Sequence, residues 1–175
     1  QIIGLTFTGG KRSDYGGSVA IFGESYTNPN NTQQRLTTHM QPKFKDCVFI
    51  DNQVTSNNGG HGGAVYIENA APIFESCVFD SNYANGAGGA VDIGGEREAG
   101  VDTVWVYKST FKNNWVDDDG MTNKISTNGG AINLRYGMLI VIANSTFEKN
   151  MVISKNSDHG SYGGAISINR KWDTK

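Results

Sequence analysis

Residues 62–93 read GGAVYIENAAPIFESCVFDSNYANGAGGAVDI, a stretch that opens and closes on the same motif. Gly62-Gly63-Ala64-Val65-x-Ile67 returns 26 residues later as Gly88-Gly89-Ala90-Val91-x-Ile93, with Phe79-x-x-Asn82 between the two. Outward from there, the Gly-Gly element recurs as GGSVAI at 16–21, GGAINL at 129–134 and GGAISI at 163–168. The Phe element recurs as FIDN at 49–52, FKNN at 111–114 and FEKN at 147–150, and FTGG at 7–10 is a degenerate first copy. The two elements alternate strictly along the chain.

Alignment on the phenylalanines produces columns. Phe7, Phe49, Phe79, Phe111 and Phe147 form one; two residues earlier stand Leu5, Cys47, Cys77, Ser109 and Ser145. Five residues before the Phe lie Ile2, Phe44, Phe74, Val106 and Ile142, and five after it Arg12, Val54, Ala84, Val116 and Val152. In the Gly-Gly segments Val19, Val65, Val91, Ile132 and Ile166 share a column, as do Ile21, Ile67, Ile93, Leu134 and Ile168. The residues between those columns, Ala20, Tyr66, Asp92, Asn133 and Ser167, are chemically unrelated. Such period-2 alternation predicts strands with one uniform buried face and one solvated, variable face.

A repeat of this length with three short apolar stretches predicts an all-β fold, a parallel β-helix solenoid of about five coils stacked ~4.8 Å apart. The preference for right-handed crossovers between parallel strands predicts its hand. A leucine-rich repeat would need a Leu-x-x-Leu-x-Leu pattern, and a propeller blade would need hairpin turn signals; neither is present. The Asn column, Asn52, Asn82, Asn114 and Asn150, falls where the coil must turn. There asparagine tolerates left-handed backbone, and stacked amides can bond from coil to coil. The unmatched stretches 23–42, 94–104, 117–128 and 153–161 are expected as loops at the corners.

The chain has 175 residues, read as one β-helix domain over 1–175. A net charge of −2, with no basic run, argues against nucleic acid and a polybasic membrane patch. No apolar run approaches the ~18 residues of a membrane span, so direct membrane insertion is not expected. Glycine is abundant, at 23 residues, yet only three prolines accompany it, which excludes collagen.

The GGA-[VI] and F-x-x-N motifs resemble the repeats of the polymorphic membrane protein family, over residues 2–168. Ser18 departs from that pattern in the first Gly-Gly segment, and Gly9-Gly10 in the first Phe element. The resemblance implies a right-handed β-helix displayed at the cell surface as the exposed part of an adhesin or autotransporter passenger. Repeats of this kind specify architecture far more strongly than function.

The residues themselves carry little chemistry. Asp92 is the single acid of its outward row, without the second carboxyl a glycosidase requires, and is expected to be ordinary solvated surface. Asp117, Asp118 and Asp119 form the densest acidic run, but three consecutive acids cannot all turn toward one calcium ion. His39, His61 and His159 lack ligand spacing, and no glycine motif introduces a phosphate-binding helix. No cofactor and no metal are expected. Cys47 and Cys77 are either bridged or free, and parallel Cβ vectors favour buried free thiols. Asn30-Asn31-Thr32 and Asn144-Ser145-Thr146 make Asn30 and Asn144 candidate glycosylation sites. Thr6, Val48, Val78, Thr110 and Thr146 form too mixed a column for an ice-binding face.

The leading functional expectation is a non-enzymatic extracellular surface protein, adhesin-like or part of a surface filament. The alternative is a polysaccharide lyase or hydrolase built from Asp92 and the acids 117–119. Apolar residues stand in repeat columns near both ends without a capping helix, which suggests a fragment of a longer chain, or end-to-end self-association. The other expected partner is a ligand on a host or other cell surface. Connections after Phe49, Phe111 and Phe147 are expected to form one contact ridge carrying His61, Trp115, Asp117, Asp118, Asp119, Met121, His159 and Tyr162.

Overall fold

Two kinds of residue turn the chain at each coil, and the repeats follow from them. One is a residue in the left-handed region just before the Cys/Ser column, Asp46, Ser76, Lys108 and Asn144, with φ between 47° and 54°. The other precedes the Asn column: Asp51, Ser81, Asn113 and Lys149, with φ between 52° and 56°. The expected left-handed asparagine column is therefore shifted by one. The residue before each column asparagine adopts positive φ, and the asparagine points inward instead. In the first coil Gly4 and Gly9 hold the two left-handed positions.

The computed structural model describes residues 1–37, 40–95, 102–119, 126–135, 138–155 and 160–169. Among them there is no helix, and four five-stranded sheets run entirely parallel. The first contains Ile2–Ile3, Lys43–Lys45, Ile73–Glu75, Asp102–Tyr107 and Met138–Ala143. The second contains Thr6–Thr8, Val48–Ile50, Val78–Asp80, Thr110–Lys112 and Thr146–Glu148. The third contains Lys11–Arg12, Gln53–Val54, Tyr83–Ala84, Trp115–Asp117 and Met151–Ile153. The fourth contains Val19–Phe22, Val65–Glu68, Val91–Gly94, Ile132–Leu134 and Ile166–Ile168. Each coil contributes one strand to each sheet: this is a parallel β-helix of five coils.

Register matches the sequence columns residue for residue, for example Phe79 with Phe49 and Phe111, and Val91 with Val65 and Ile132. Inside, the Phe column stacks with ring centroids 4.5–4.8 Å apart and planes within 7° of parallel. Phe44 and Phe74 set their rings nearly perpendicular to that stack. Burying each such ring is worth roughly 1.5–3 kcal/mol. Beside it runs an amide ladder. Each of Asn52, Asn82 and Asn114 donates from Nδ2 to the next asparagine's Oδ1 at 2.9–3.0 Å and to the preceding coil's Phe carbonyl at 2.9–3.0 Å. Gly10 continues the ladder at its start by donating its backbone N–H to Asn52 Oδ1.

The paired glycines do different jobs. Gly88 takes the left-handed backbone at φ 62°, whereas a Cβ on Gly89 would lie 2.1 Å from the Gly130 carbonyl oxygen of the next coil. The columns are not uniformly interior in the first coil. Leu5 and Arg12 are exposed there.

All four expected loops contain strand residues, and the strand Asp102–Tyr107 already begins within 94–104. Within 23–42, Ser25–Asn28 and Asn31–Thr37 pair as an antiparallel hairpin around Pro29-Asn30, a pairing that local turn chemistry drives outside the coil repeat. Ser161–Tyr162 pairs in parallel with Thr127–Asn128, extending the solenoid by a short two-stranded sheet. His39, Met121 and His159 lie outside the described residues.

Candidate functional site

The outer face of the third sheet is built from Lys11, Gln53, Tyr83, Trp115 and Met151, one per coil and in register. Each follows the Asn column by one position. The inward asparagine therefore fixes which way its neighbour points. Tyr83 and Trp115 stack, with ring centroids 5.1 Å apart and planes 29° from parallel. Tyr83 donates its hydroxyl to Asp117 Oδ1 at 2.6 Å, and the Asp119 backbone N–H donates to the same oxygen at 3.1 Å. Burial, then the Asp117 hydrogen bond, pushes the Tyr83 phenol well above the ordinary tyrosine range.

In front of this face lies an open groove with two connected basins of about 690 and 620 Å³, sharing Gln53, Tyr83 and Asp119. The larger is walled by Asp14, Ser56 and Asn58, the smaller by Lys11, Trp115 and Asp117. Asn85 makes a rigid floor. Its Oδ1 accepts from the backbone N–H groups of Ser56 and Gly60 at 2.9 and 2.8 Å. Its Nδ2 donates to the carbonyls of Ser56 and Asp119 at 2.9 and 3.0 Å. One buried amide thus ties segments of the second and fourth coils together.

The acidic run diverges. Asp117 serves Tyr83; Asp118 accepts from Ser154 Oγ and the Lys155 N–H; Asp119 pairs with Lys155 Nζ at 2.8 Å. No cluster of three or more metal-ligating side chains occurs among the described residues.

The fourth sheet corrects the expectation of a solvated outer row. Asp92 is 0% exposed, and Tyr66, Asn133 and Ser167 beside it are buried as well. Asp92 accepts at Oδ1 from Nδ2 of its row neighbour in the next coil, Asn133, at 2.6 Å. Its Oδ2 lies 3.0 Å from Arg135 Nε and 3.3 Å from His61 Nδ1. Neither N–H is aligned as a hydrogen bond, and the Arg135 contact is an ion pair. Burial alone would raise the Asp92 carboxyl; His61, Arg135 and Asn133 outweigh it and hold the group below the usual carboxylate range.

Arg135 closes the cluster. It donates from Nη2 to Tyr66 Oη at 2.9 Å and Glu68 Oε2 at 3.1 Å, with its guanidinium 5.3 Å from the Tyr66 ring centroid. Gly94 makes the space, since a Cβ there would stand 2.6 Å from the guanidinium. Alternation correctly predicted that these side chains face away from the coil interior. It could not show that Arg135 reaches over that face to Asp92, or that Tyr15 packs on Tyr66 and His61.

The ridge residues separate. Trp115, Asp117 and Asp119 border the groove, and Asp118 points to Ser154 and Lys155. His61 joins the Asp92 cluster, and Tyr162 is exposed in the two-stranded sheet beside Asn128. Asn30 and Asn144 are both exposed, the former at the hairpin tip and the latter at a coil corner. Cys47 and Cys77 are buried free thiols; burial pushes Cys77 up to about 11. Tyr83, Gln53 and Asn85 are groove residues that motif reading passed over, although Gln53, Tyr83, Trp115 and Met151 align four positions after each Phe.

Comparison with protein-family models, with curated proteins and with solved structures finds no match to this chain.

Proposed function

We propose that this chain is a β-helical extracellular surface protein, adhesin-like, which acts by contact and not by catalysis, and that the third-sheet groove is its contact surface. The observation carrying this reading is the groove itself. It is an open, preformed channel with a hydrogen-bonded floor and two stacked aromatic rings, which is the composition of a binding surface. The acid nominated for chemistry, Asp92, is sealed from solvent and paired with Arg135 and His61. Asp117 and Asp119 are engaged by Tyr83 and Lys155. The motif likeness to polymorphic membrane protein repeats supports surface display, and exposed Asn30 and Asn144 are compatible with glycosylation there. End-to-end association into a filament, which a stack of parallel coils can propagate, is a further part of the proposal.

The test is attachment of the fluorescently labelled chain to cells or cell-wall preparations. Attachment that weakens about tenfold or more in Tyr83→Ala, with the β-sheet circular-dichroism spectrum unchanged, supports the reading. Catalytic release of sugar fragments from a polysaccharide by the wild-type chain would replace it with the enzymatic alternative.

A further inference from the structure

We infer that Asn58 is a self-modification site: in the folded chain it deamidates to isoaspartate and aspartate, while the fold holds the other two Asn-Gly pairs unreactive. The inference is independent of the contact-surface reading. Asn58-Gly59, Asn85-Gly86 and Asn128-Gly129 all carry the dipeptide in which this reaction meets least hindrance, since glycine has no Cβ to shield its amide nitrogen. By dipeptide alone the three are equal. The surroundings of each pair separate them.

The reaction needs a side-chain amide that can swing and a backbone nitrogen that can be reached. The deprotonated Gly59 nitrogen attacks Asn58 Cγ, and the new N–C bond closes a five-membered succinimide. The Cγ–Nδ2 bond breaks, and that nitrogen leaves as ammonia, with the proton given up by Gly59 accounted for in it. Water then opens the ring at either carbonyl. Opening at Cγ leaves aspartate; opening at the backbone carbonyl leaves isoaspartate, with the chain rerouted through the side chain. No oxidant or reductant takes part.

Asn85 fails on the first requirement. It is 2% exposed, and its Oδ1 accepts from the backbone N–H groups of Ser56 and Gly60 while its Nδ2 donates to the carbonyls of Ser56 and Asp119. Swinging its Cγ onto the Gly86 nitrogen would break all four bonds and leave buried groups unmatched. Asn128 fails on the second. The Gly129 N–H donates to the Tyr162 carbonyl of the next coil at 2.9 Å. The N–H and carbonyl of Asn128 are bonded to Gly86 and Gly88 of the preceding coil, so this nitrogen is freed only by parting coils.

Asn58 differs on both. It is exposed, where the chain turns at Asn57-Asn58. Gly59 is buried, but its N–H donates to the Ser56 carbonyl at 3.1 Å, and the Asn58 N–H donates to Ser56 Oγ at 3.3 Å. Both bonds close within one turn, so the nitrogen is freed by local opening with the coils left in place. Asn85 holds Ser56 and Gly60 on either side of the tip, which confines that opening to residues 57–59. Asn58 also walls the larger basin beside Asp14 and Asp119, so the product sets a third carboxylate on that wall.

The experiment is timed incubation of the full 175-residue chain at neutral and at mildly alkaline pH, read by peptide mass spectrometry that distinguishes isoaspartate from aspartate. Folded chain and urea-unfolded chain are incubated side by side. In the unfolded chain all three Asn-Gly pairs should convert at similar rates. In the folded chain Asn58 should convert with isoaspartate in excess and faster at the higher pH, as deprotonation of the Gly59 nitrogen requires. Asn85 and Asn128 should be slower than Asn58 there by about tenfold or more. Circular dichroism of the aged chain should keep its β-sheet spectrum, because the modified turn lies outside the coil strands. An Asn58 that stays intact in the folded chain while it converts in urea overturns the inference. So does conversion of Asn85 or Asn128 in the folded chain at the rate of Asn58, since the fold would then not be what selects the site.

Discussion

Asn82 shows at the level of one side chain why the repeat insists on asparagine. Its Oδ1 accepts from both the backbone N–H and the Nδ2 of Asn52, while its Nδ2 bridges Phe49 and Asn114. Only a primary amide of this length both donates twice and accepts twice. Asn82→Ala leaves several buried partners unmatched, each costing about 1–3 kcal/mol. Urea denaturation should show a loss of about 3 kcal/mol or more. Cys77 makes a second residue-level prediction. Its thiol is pushed up to about 11 in the fold, against about 8.5 in an unfolded chain, so the folded state favours the protonated form. The stability this contributes is complete below about pH 8.5 and is lost as pH rises toward 11. Thiol-reagent labelling at neutral pH should follow global unfolding, and rapid labelling of the native chain would contradict the burial.

Among elements, the Gly-Gly corner is where neighbouring coils come closest. A Cβ at Gly89 would meet the Gly130 carbonyl at 2.1 Å and the Trp115 backbone at 2.7 Å, and neither can move without shifting a strand. Gly164 holds the same position in the last coil, where the nearest atom is 3.7 Å away. Gly89→Ala is therefore expected to cost more than the usual ~1–3 kcal/mol of overpacking. Gly164→Ala should be neutral or mildly stabilising, by up to about 1 kcal/mol, because it restricts the unfolded chain. Melting temperatures of the two variants compare them directly; equal losses would show that backbone conformation, and not coil approach, demands the second glycine.

Across the whole molecule, the Asp92 cluster joins side chains from the second, third and fourth coils on one outer face. A buried, paired carboxylate held below its ordinary range stabilises the fold above the unfolded carboxyl pKa, and that contribution is lost as pH falls through the folded value. Asp92→Asn removes one of the two carboxylates facing Arg135, which keeps Glu68 at 3.1 Å and is 23% exposed, so the loss falls below the ~3–5 kcal/mol of breaking a fully buried pair. The variant should melt earlier at neutral pH, with a smaller further loss on acidification than the parent. A parent and variant with parallel acid profiles would show that Asp92 is not the group whose protonation matters.

The repeat columns, the parallel coil stack, the strand register and coil-to-coil bonding of the Asn column were legible in the sequence, because a solenoid brings equivalent residues into contact by periodicity alone; that those asparagines point inward was not, since the left-handed position falls one residue earlier. Tertiary structure decided what periodicity does not encode. Arg135 reaches back over Gly94 to bury Asp92, so an alternation that marks a residue as outward says nothing about what lies over it. Likewise the groove exists because Asn85 draws segments of the second and fourth coils, far apart in the chain, onto one floor beside Tyr83. Those contacts depend on side-chain reach between non-equivalent positions, which no repeat specifies.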